Sequence, residues 1–241
     1  FSTQPIETRC YNAVWEHDSE SVLLYATAQN PHPLRHVLAQ TLRMAENKIR
    51  IIAPTIGGAF GMKMHGHPEE ALVCLLAKLT GQPVKWVEDR EECLLIGARE
   101  QRHDVELAFD ADGILLGLRD DYYANIGAPS ACPGWGMAFL TGLTMPGPYA
   151  VRDIDVSMSI VTTNKPAWNA ARGYGKEATA IALELAMDQA ARELDLDPIE
   201  LRIRNFIRSD QFPYPSPTGL VYDSGDFEGA VRKALAAIGY D

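Results

Sequence analysis

Three glycines surround one phenylalanine in IRIIAPTIGGAFGMKM (residues 49–64), directly after an apolar β-branched run. Glycine lacks a Cβ, so main-chain N–H groups in such a loop can approach an acceptor that a larger residue would hold off. Phosphates and oxo groups are acceptors of that kind. Spacing separates this loop from two familiar phosphate cradles. A P-loop needs Gly-Lys-Ser/Thr, but Met62 stands between Gly61 and Lys63, and Met64 follows. The dinucleotide fingerprint G-x-G-x-x-G needs glycines where Ala59 and Met62 stand. Both cradles are excluded, and a loop whose glycines only permit positive φ stays open.

Two other loops carry residues able to meet a polar ligand. Gln29 in TAQNPH (27–32) offers an amide that donates and accepts, although alone before Asn-Pro it also reads as a turn residue. AARGYGKE (170–177) sets Tyr174 between glycines, with room to present its ring face, and Arg172 two residues earlier. A plain helix-entry turn with Arg172 in a salt bridge fits the same letters. His65 and His67 in MHGHPEE stand beside Glu69 and Glu70, but H-x-H alone is a weak metal pattern. That stretch reads as a loop and a solvated helix start. The acidic pairs Glu91-Glu92 and Asp120-Asp121 read as exposed charge.

Composition narrows the class. The chain has 241 residues, 46% of them hydrophobic, enough for a substantial core. A formal charge of −10 argues against a nucleic-acid surface, which relies on clustered Lys and Arg. Cys10, Cys74, Cys93 and Cys132 lie far apart with no C-x-x-C pair, so neither a zinc ribbon nor an iron–sulfur cluster is carried here. Reduced thiols in a cytoplasmic protein are expected. No signal peptide opens the chain, and no apolar run reaches the length of a membrane span. Opening at Phe1 and closing at Asp241 give the expectation of a portion excised from a longer polypeptide.

These loops need strands to deliver them. Residues 22–28 read as a strand, 33–46 as a helix with Pro33 in its first turn, and IRIIAP as the next strand. A helix follows over 68–80, opened by Pro68 with two glutamates and closed by Gly81. Residues 84–89 read as a strand, and 103–124 as a hairpin turning at Asp112-Gly113. Glycine and proline crowd 127–148, which reads as a long loop with at most one helical turn. A strand is expected over 149–164. The strongest helix runs from Lys176 to Leu194, with Leu183, Met187, Ala190 and Leu194 on one stripe. Asp197-Pro198 and Asp226 begin two further helices. The element order is α+β with mixed strands, and each of the three ligand loops is expected where a strand ends.

Taken together and in order, Gln29 in AQNPH, the GGAFGMK loop, ARGYGKEA and LELAMDQAARELDLDPIELRIRNFI resemble the signatures of the xanthine dehydrogenase/aldehyde oxidase family of molybdenum hydroxylases. The resemblance covers nearly the whole chain. It implies an α+β fold with a mixed β-sheet and packed helices, with residues 1–241 as the first molybdopterin-binding domain of a longer large subunit. It further implies a molybdenum–molybdopterin cofactor, the cytosine dinucleotide form included, held by its own pterin dithiolene and not by protein side chains. Gln29, Gly58, Phe60 and Gly61 would face that cofactor, Arg172 would support its edge, and Tyr174 would stack on substrate.

Departures from the family pattern bear on substrate. By the same resemblance, purine-oxidising members carry Glu just after the loop lysine and Arg ahead of the next strand. Met64 and, aligned without gaps, about Leu140 stand there instead. A purine would leave ring N–H and C=O groups poorly paired against these two apolar slots, so an aldehyde or flat N-heteroaromatic is expected. Carbon monoxide dehydrogenases carry Cys after the loop arginine, where this chain has Gly173, so that cluster chemistry is not expected. The implied reaction is hydroxylation of an electrophilic carbon with water-derived oxygen. Its general-base glutamate would fall in the second half of the large subunit, leaving the isolated chain inactive. Iron–sulfur clusters and FAD are implied on partner chains or domains. The alternative is a non-catalytic, cofactor-free binding or assembly module on the same scaffold.

Overall fold

The computed structural model describes residues 3–64, 66–97, 100–128 and 134–240. His65 and Cys132 lie outside the described residues. Two compact units make up the chain: Phe1–Glu100, Asn125–Gly134 and Val161–Arg172 form the first, and Gln101–Ala124, Trp135–Ile160 and Gly173–Asp241 the second.

The first unit is built on a mixed sheet of β1 (Cys10–Glu16), β2 (Ser21–Ala26), β3 (Ile49–Ile52) and β4 (Val84–Val87), in the order β3-β2-β1-β4. β1 runs antiparallel to both neighbours, whereas β2 and β3 are parallel, with Val22 opposite Ile49 and Leu24 opposite Ile51. A parallel pair needs a crossover, supplied by α1 (Pro31–Leu42). Tyr11, Ala13, Val22, Leu24 and Ile49 share a buried core with Leu34 and Leu38 of α1 and with Val73, Cys74 and Ala77 of α2 (Pro68–Thr80). Because β2 and β3 are parallel, the loops that follow them leave the sheet at the same end.

Several boundaries differ from the sequence reading. α1 ends at Leu42 because Arg43 turns left-handed at φ 53° and its N–H closes the helix. α2 has the expected bounds, with Gly81 closing it at φ 65°. β1 was not expected. Its alternation of buried Tyr11 and Ala13 with less buried neighbours gains meaning only from the two strands it pairs with. α3 (Arg90–Leu94) was also not expected, although Asp89 and Glu92 form a capping box, the Glu92 N–H donating to Asp89 at 2.7 Å and the Asp89 N–H to Glu92 at 2.9 Å.

In the second unit, β5 (Glu100–Phe109) and β6 (Leu115–Asn125) make the expected hairpin, and β7 (Asp153–Val161) lies beside β6. Asp110 accepts from the N–H groups of Asp112 and Ile114 at 2.9 Å each, which shapes the turn. The expected long loop over 127–148 contains a ten-residue helix, α4 (Gly134–Leu143). Its glycines disfavour a helix in isolation, but Met137, Ala138 and Thr141 are buried, and tertiary packing prevails over propensity.

α5 (Lys176–Glu193) buries Leu183 and Met187 as expected, but its stripe continues through Thr179 and Ala191, leaving Ala190 and Leu194 half-buried. Asp197 caps α6 (Pro198–Asn205), and Asp226 caps α7 (Phe227–Ile238). α5 and α6 share a core with Leu115, Leu118, Met145, Tyr149 and Val151. β8 (Tyr214–Pro215) and β9 (Val221–Tyr222) form a small separate ribbon. Among the described residues no helix is long and apolar enough to cross a membrane.

Candidate functional site

In the first unit the loops after β2 and β3 are stitched together. The Gln29 N–H donates to the Lys63 carbonyl at 2.8 Å, and the Gly61 N–H donates to Gln29 Oε1 at 3.1 Å. An N–H donor requires the amide oxygen of Gln29 on that side, which leaves its NH2 as the outward group. That NH2 meets no acceptor among the described residues. Within the glycine-rich loop, the Gly57 N–H is taken by Glu7, the Met62 N–H by Ala59 and the Met64 N–H by Gly61. The N–H groups of Gly58, Ala59 and Phe60 donate to no protein group among the described residues. Three consecutive donors therefore stay unused in the loop that Gly61 ties to the Gln29 amide.

Backbone conformation explains the glycines. Gly58, Phe60 and Gly61 all have positive φ, at 93°, 55° and 104°. A Cβ on Gly61 would lie 2.8 Å from the carbonyl carbon and oxygen of Ala170. The close approach that Gly61 permits is therefore to the chain's own 168–171 segment, a partner sequence reasoning did not find. Its own N–H is occupied by Gln29. Phe60 holds the left-handed conformation without being glycine, and its side chain is half exposed. Such strain is disfavoured for an aromatic residue and commonly accompanies function. Met64 is half-buried at the end of the loop, its carbonyl accepting from Asn30 Nδ2 at 3.4 Å.

A buried charge network supports this loop. Lys63 is fully buried, and its ammonium donates to Glu7 at 2.9 Å, so it is not a free phosphate-binding lysine. Burial pushes the Glu7 carboxyl up, but the hydrogen bonds from Lys63 and Gly57 together outweigh it and hold the group below its usual range. Arg9, also buried, reaches Glu88 through Nε at 3.0 Å and Nη2 at 2.8 Å, and Glu69 at 3.1 Å. The helix start at 67–70 is therefore not solvated as expected, since Glu70 is buried and accepts from the His67 N–H at 2.7 Å. His67 Nε2–H donates to the Met62 carbonyl at 2.9 Å, and Asn169 donates to the same carbonyl at 3.4 Å. Burial, reinforced by the charge of Arg9, lowers the His67 pKa to about 4, and burial raises Glu70 to about 7. Glu7, Arg9, His67 and Asn169 are thus supporting residues that sequence reasoning missed.

Arg172 also belongs to the first unit, where it is exposed and makes no ion pair among the described residues. Leu140 and Tyr174 belong to the second unit and Met64 to the first, so the three residues expected to shape substrate choice do not fall in one unit. Leu140 lies half-buried on α4, not in a loop. Tyr174 is half-buried with φ 54°, and its hydroxyl lies 4.0 Å from where a Cβ on Gly136 would stand, one helical turn before Leu140. Gly173 has φ 115°, and a Cβ there would run into the Glu177 carboxylate, which accepts the Gly175 N–H at 2.9 Å. The 170–177 segment does not leave the end of a strand directly, since β7 stops at Val161. Asp120, expected as exposed charge, is wholly buried against His103.

Residues 2–206 match the family described as the molybdopterin cofactor-binding domain. The chain belongs to this family. The chain is 38% identical over 242 residues to the carbon monoxide dehydrogenase large chain of Hydrogenophaga pseudoflava, covering 98% of this chain and 30% of that one. It is 36% identical over 234 residues to the nicotine 6-hydroxylase large subunit of Paenarthrobacter nicotinovorans, covering 92% of this chain and 28% of that one. The crystal structure of quinoline 2-oxidoreductase from Pseudomonas putida 86 superposes with a TM-score of 0.92 at 34% identity, covering 99% of this chain and 31% of that one. The chain thus spans less than a third of the length of these relatives.

The donor chemistry of the loop fits such a cofactor, because free main-chain N–H groups and a side-chain NH2 suit an anionic, oxygen-rich group. No cluster of His, Cys, Asp and Glu able to hold a metal ion occurs among the described residues of the domain.

Proposed function

We propose that the chain is the first part of the molybdenum-cofactor-binding region of an oxidoreductase large subunit that hydroxylates an N-heteroaromatic or aldehyde carbon with water-derived oxygen. The observation that carries this reading is the row of free donors at Gly58, Ala59 and Phe60, in the loop that Gly61 ties to Gln29 with its outward NH2. When bound, the molybdenum–molybdopterin cofactor supplies the two-electron oxidation. Gln29 and the loop amides at Gly58, Phe60 and Gly61 orient it, with Gly61 acting through its hold on Gln29. Arg172 adds positive charge at its edge. Iron–sulfur and flavin partners in the cytoplasm take up the electrons.

On substrate, Met64 offers an apolar side chain in the first unit, and in the second Leu140 offers apolar lining and Tyr174 a ring to stack on a flat molecule. Relatives named for nicotine and quinoline support a heteroaromatic over a purine. The carbon monoxide dehydrogenase relative does not carry its chemistry over, because Gly173, at φ 115°, offers no thiol where that chemistry is expected to need a cysteine. Metal analysis of the complete complex tests the reading. Stoichiometric molybdenum with extractable pterin supports it, and absence of both after cofactor-replete expression supports a cofactor-free module. In the loaded complex, quinoline should exceed xanthine in kcat/KM, and Tyr174→Ala should lower turnover of aromatic substrates more than of small aliphatic aldehydes. Efficient xanthine oxidation by the wild type would remove Met64 and Leu140 from the substrate site.

A further inference from the structure

We propose that the buried pair His103–Asp120 is a positioning pair for the Tyr174 loop, acting through Gln101 and Thr141 on the Gly175 turn. The inference rests on the reading of Tyr174 as substrate-facing, and every group in it belongs to the second unit.

β5 sets Gln101 and His103 on one face, and β6 sets Asp120 and Tyr122 two residues apart in the same way. Asp120 is wholly buried, and the His103 side chain is only 10% exposed. A carboxylate can only accept, so His103 Nδ1–H donates to Asp120 Oδ2 at 2.9 Å. The other oxygen, Oδ1, is buried with no partner. A half-satisfied carboxylate in a buried site is costly, which calls for a role. Tyr122 stacks on the imidazole at 5.0 Å between ring centres and fixes the ring plane. Gln101 Oε1, an acceptor, lies 2.8 Å from Nε2, so both ring nitrogens donate, Nδ1–H to Asp120 and Nε2–H to Gln101, and the Gln101 NH2 is left to donate to Thr141 Oγ1 at 3.0 Å.

Thr141 has one hydroxyl proton to give. With Gln101 donating to it, that proton goes to the carbonyl of Gly175 at 3.1 Å or of Met137 at 3.2 Å. If the Gln101 amide were turned over, its oxygen would claim the proton and the Gly175 carbonyl would lose it. The His103 end of the chain therefore sets the hydrogen bonding at the turn that follows Tyr174. This turn has little slack. Gly175 has φ 102°, and a Cβ there would run into the Met137 carbonyl and stand 2.8 Å from Thr141 Oγ1. A second arm from the same strand fixes α4, since Tyr122 OH donates to the Ala138 carbonyl at 2.7 Å and accepts from the Gly142 N–H at 3.1 Å.

The test uses the full large subunit in its loaded complex, with amide hydrogen exchange over 173–178 and steady-state kinetics on quinoline. His103→Asn keeps a polar partner for Asp120 but cannot reach Gln101, and Thr141→Val removes the hydroxyl at nearly constant shape. Both should speed exchange over 173–178 and raise the quinoline KM roughly three- to tenfold, the worth of one neutral hydrogen bond, with kcat changed by less than about twofold. Thr141→Ser, which restores the hydroxyl, should bring both back. Unchanged exchange in Thr141→Val overturns the proposal. Faster exchange with an unchanged quinoline KM, while Tyr174→Ala raises that KM, overturns the positioning role and leaves the Tyr174 reading standing. If Tyr174→Ala itself leaves the quinoline KM unchanged, the reading falls and the proposal with it.

Discussion

Substituting alanine at Gly61 isolates the contact on which the candidate cofactor loop depends. Its φ of 104° is unfavourable for any L-residue, and the added Cβ would lie 2.8 Å from the backbone of Ala170 and 3.0 Å from its Cβ. Gly219 provides the control, because it has φ 97° but nothing within 4 Å of an added Cβ. Backbone strain alone is worth about 1–2 kcal/mol, so Gly219→Ala should cost about that much. Gly61→Ala adds overpacking against a backbone that cannot rotate away, about 1–3 kcal/mol more. The sum is about 2–5 kcal/mol against the native loop, and near the middle of that range a factor of a hundred or more. Relief requires the 57–64 loop and the 168–171 segment to part, which also breaks the Gly61 N–H bond to Gln29. Molybdenum per large subunit, measured by inductively coupled plasma mass spectrometry, should fall sharply for Gly61→Ala and stay near wild type for Gly219→Ala. Hydrogen exchange over 57–64 and 168–171 should rise in the first variant only. Equal molybdenum and equal protection in the two variants would refute both the contact and the place given to this loop.

Gln29→Leu removes the acceptor of the Gly61 N–H and the outward NH2 together, so it should loosen the loop by about 1 kcal/mol and lower molybdenum content; full occupancy would count against Gln29. Arg9→Met leaves Glu88 buried without its partner and should destabilise the large subunit by about 3–5 kcal/mol in thermal unfolding, whereas Arg9→Met with Glu88→Gln should recover most of the loss. Glu70, raised to about 7, favours its protonated form in the fold and loses stability as pH rises from its unfolded value towards 7, while His67, lowered to about 4, favours its neutral form and loses stability as pH falls from 6.5 towards 4. Between about pH 4.5 and 6.5 these slopes cancel, so protection of the α2 start by hydrogen exchange should be flat with pH in the wild type and climb with pH by about 1.4 kcal/mol per unit in Glu70→Gln; a flat Glu70→Gln profile would dismiss the pair.

What was legible in the sequence was local. Pro68 with Gly81, Asp197 with Pro198, and the Asp112-Gly113 turn each act within a few residues, and the structure has α2, α6 and the β5–β6 hairpin where those letters set them. The glycine-rich loop was legible for the same reason, because positive φ leaves its mark on the residue that adopts it. What was not legible was held at a distance. Gly61 needs to be glycine because of Ala170, Arg9 is tolerated in the core because of Glu88, and Asp120 is buried because of His103. In each case one partner looks ordinary: an alanine, an acidic residue near a strand end, and a charge that reads as solvated. α4 failed for a related reason, since its glycines argue for a loop until the Tyr122 hydroxyl is seen filling the space beside Gly142, 2.8 Å from where a Cβ would stand. The supporting residues are therefore the ones whose substitution carries most information. A change at Gln29 tests a role that the local sequence already announces, whereas changes at Arg9, His103 or Ala170 test whether the distant partner is what makes the loop chemistry possible.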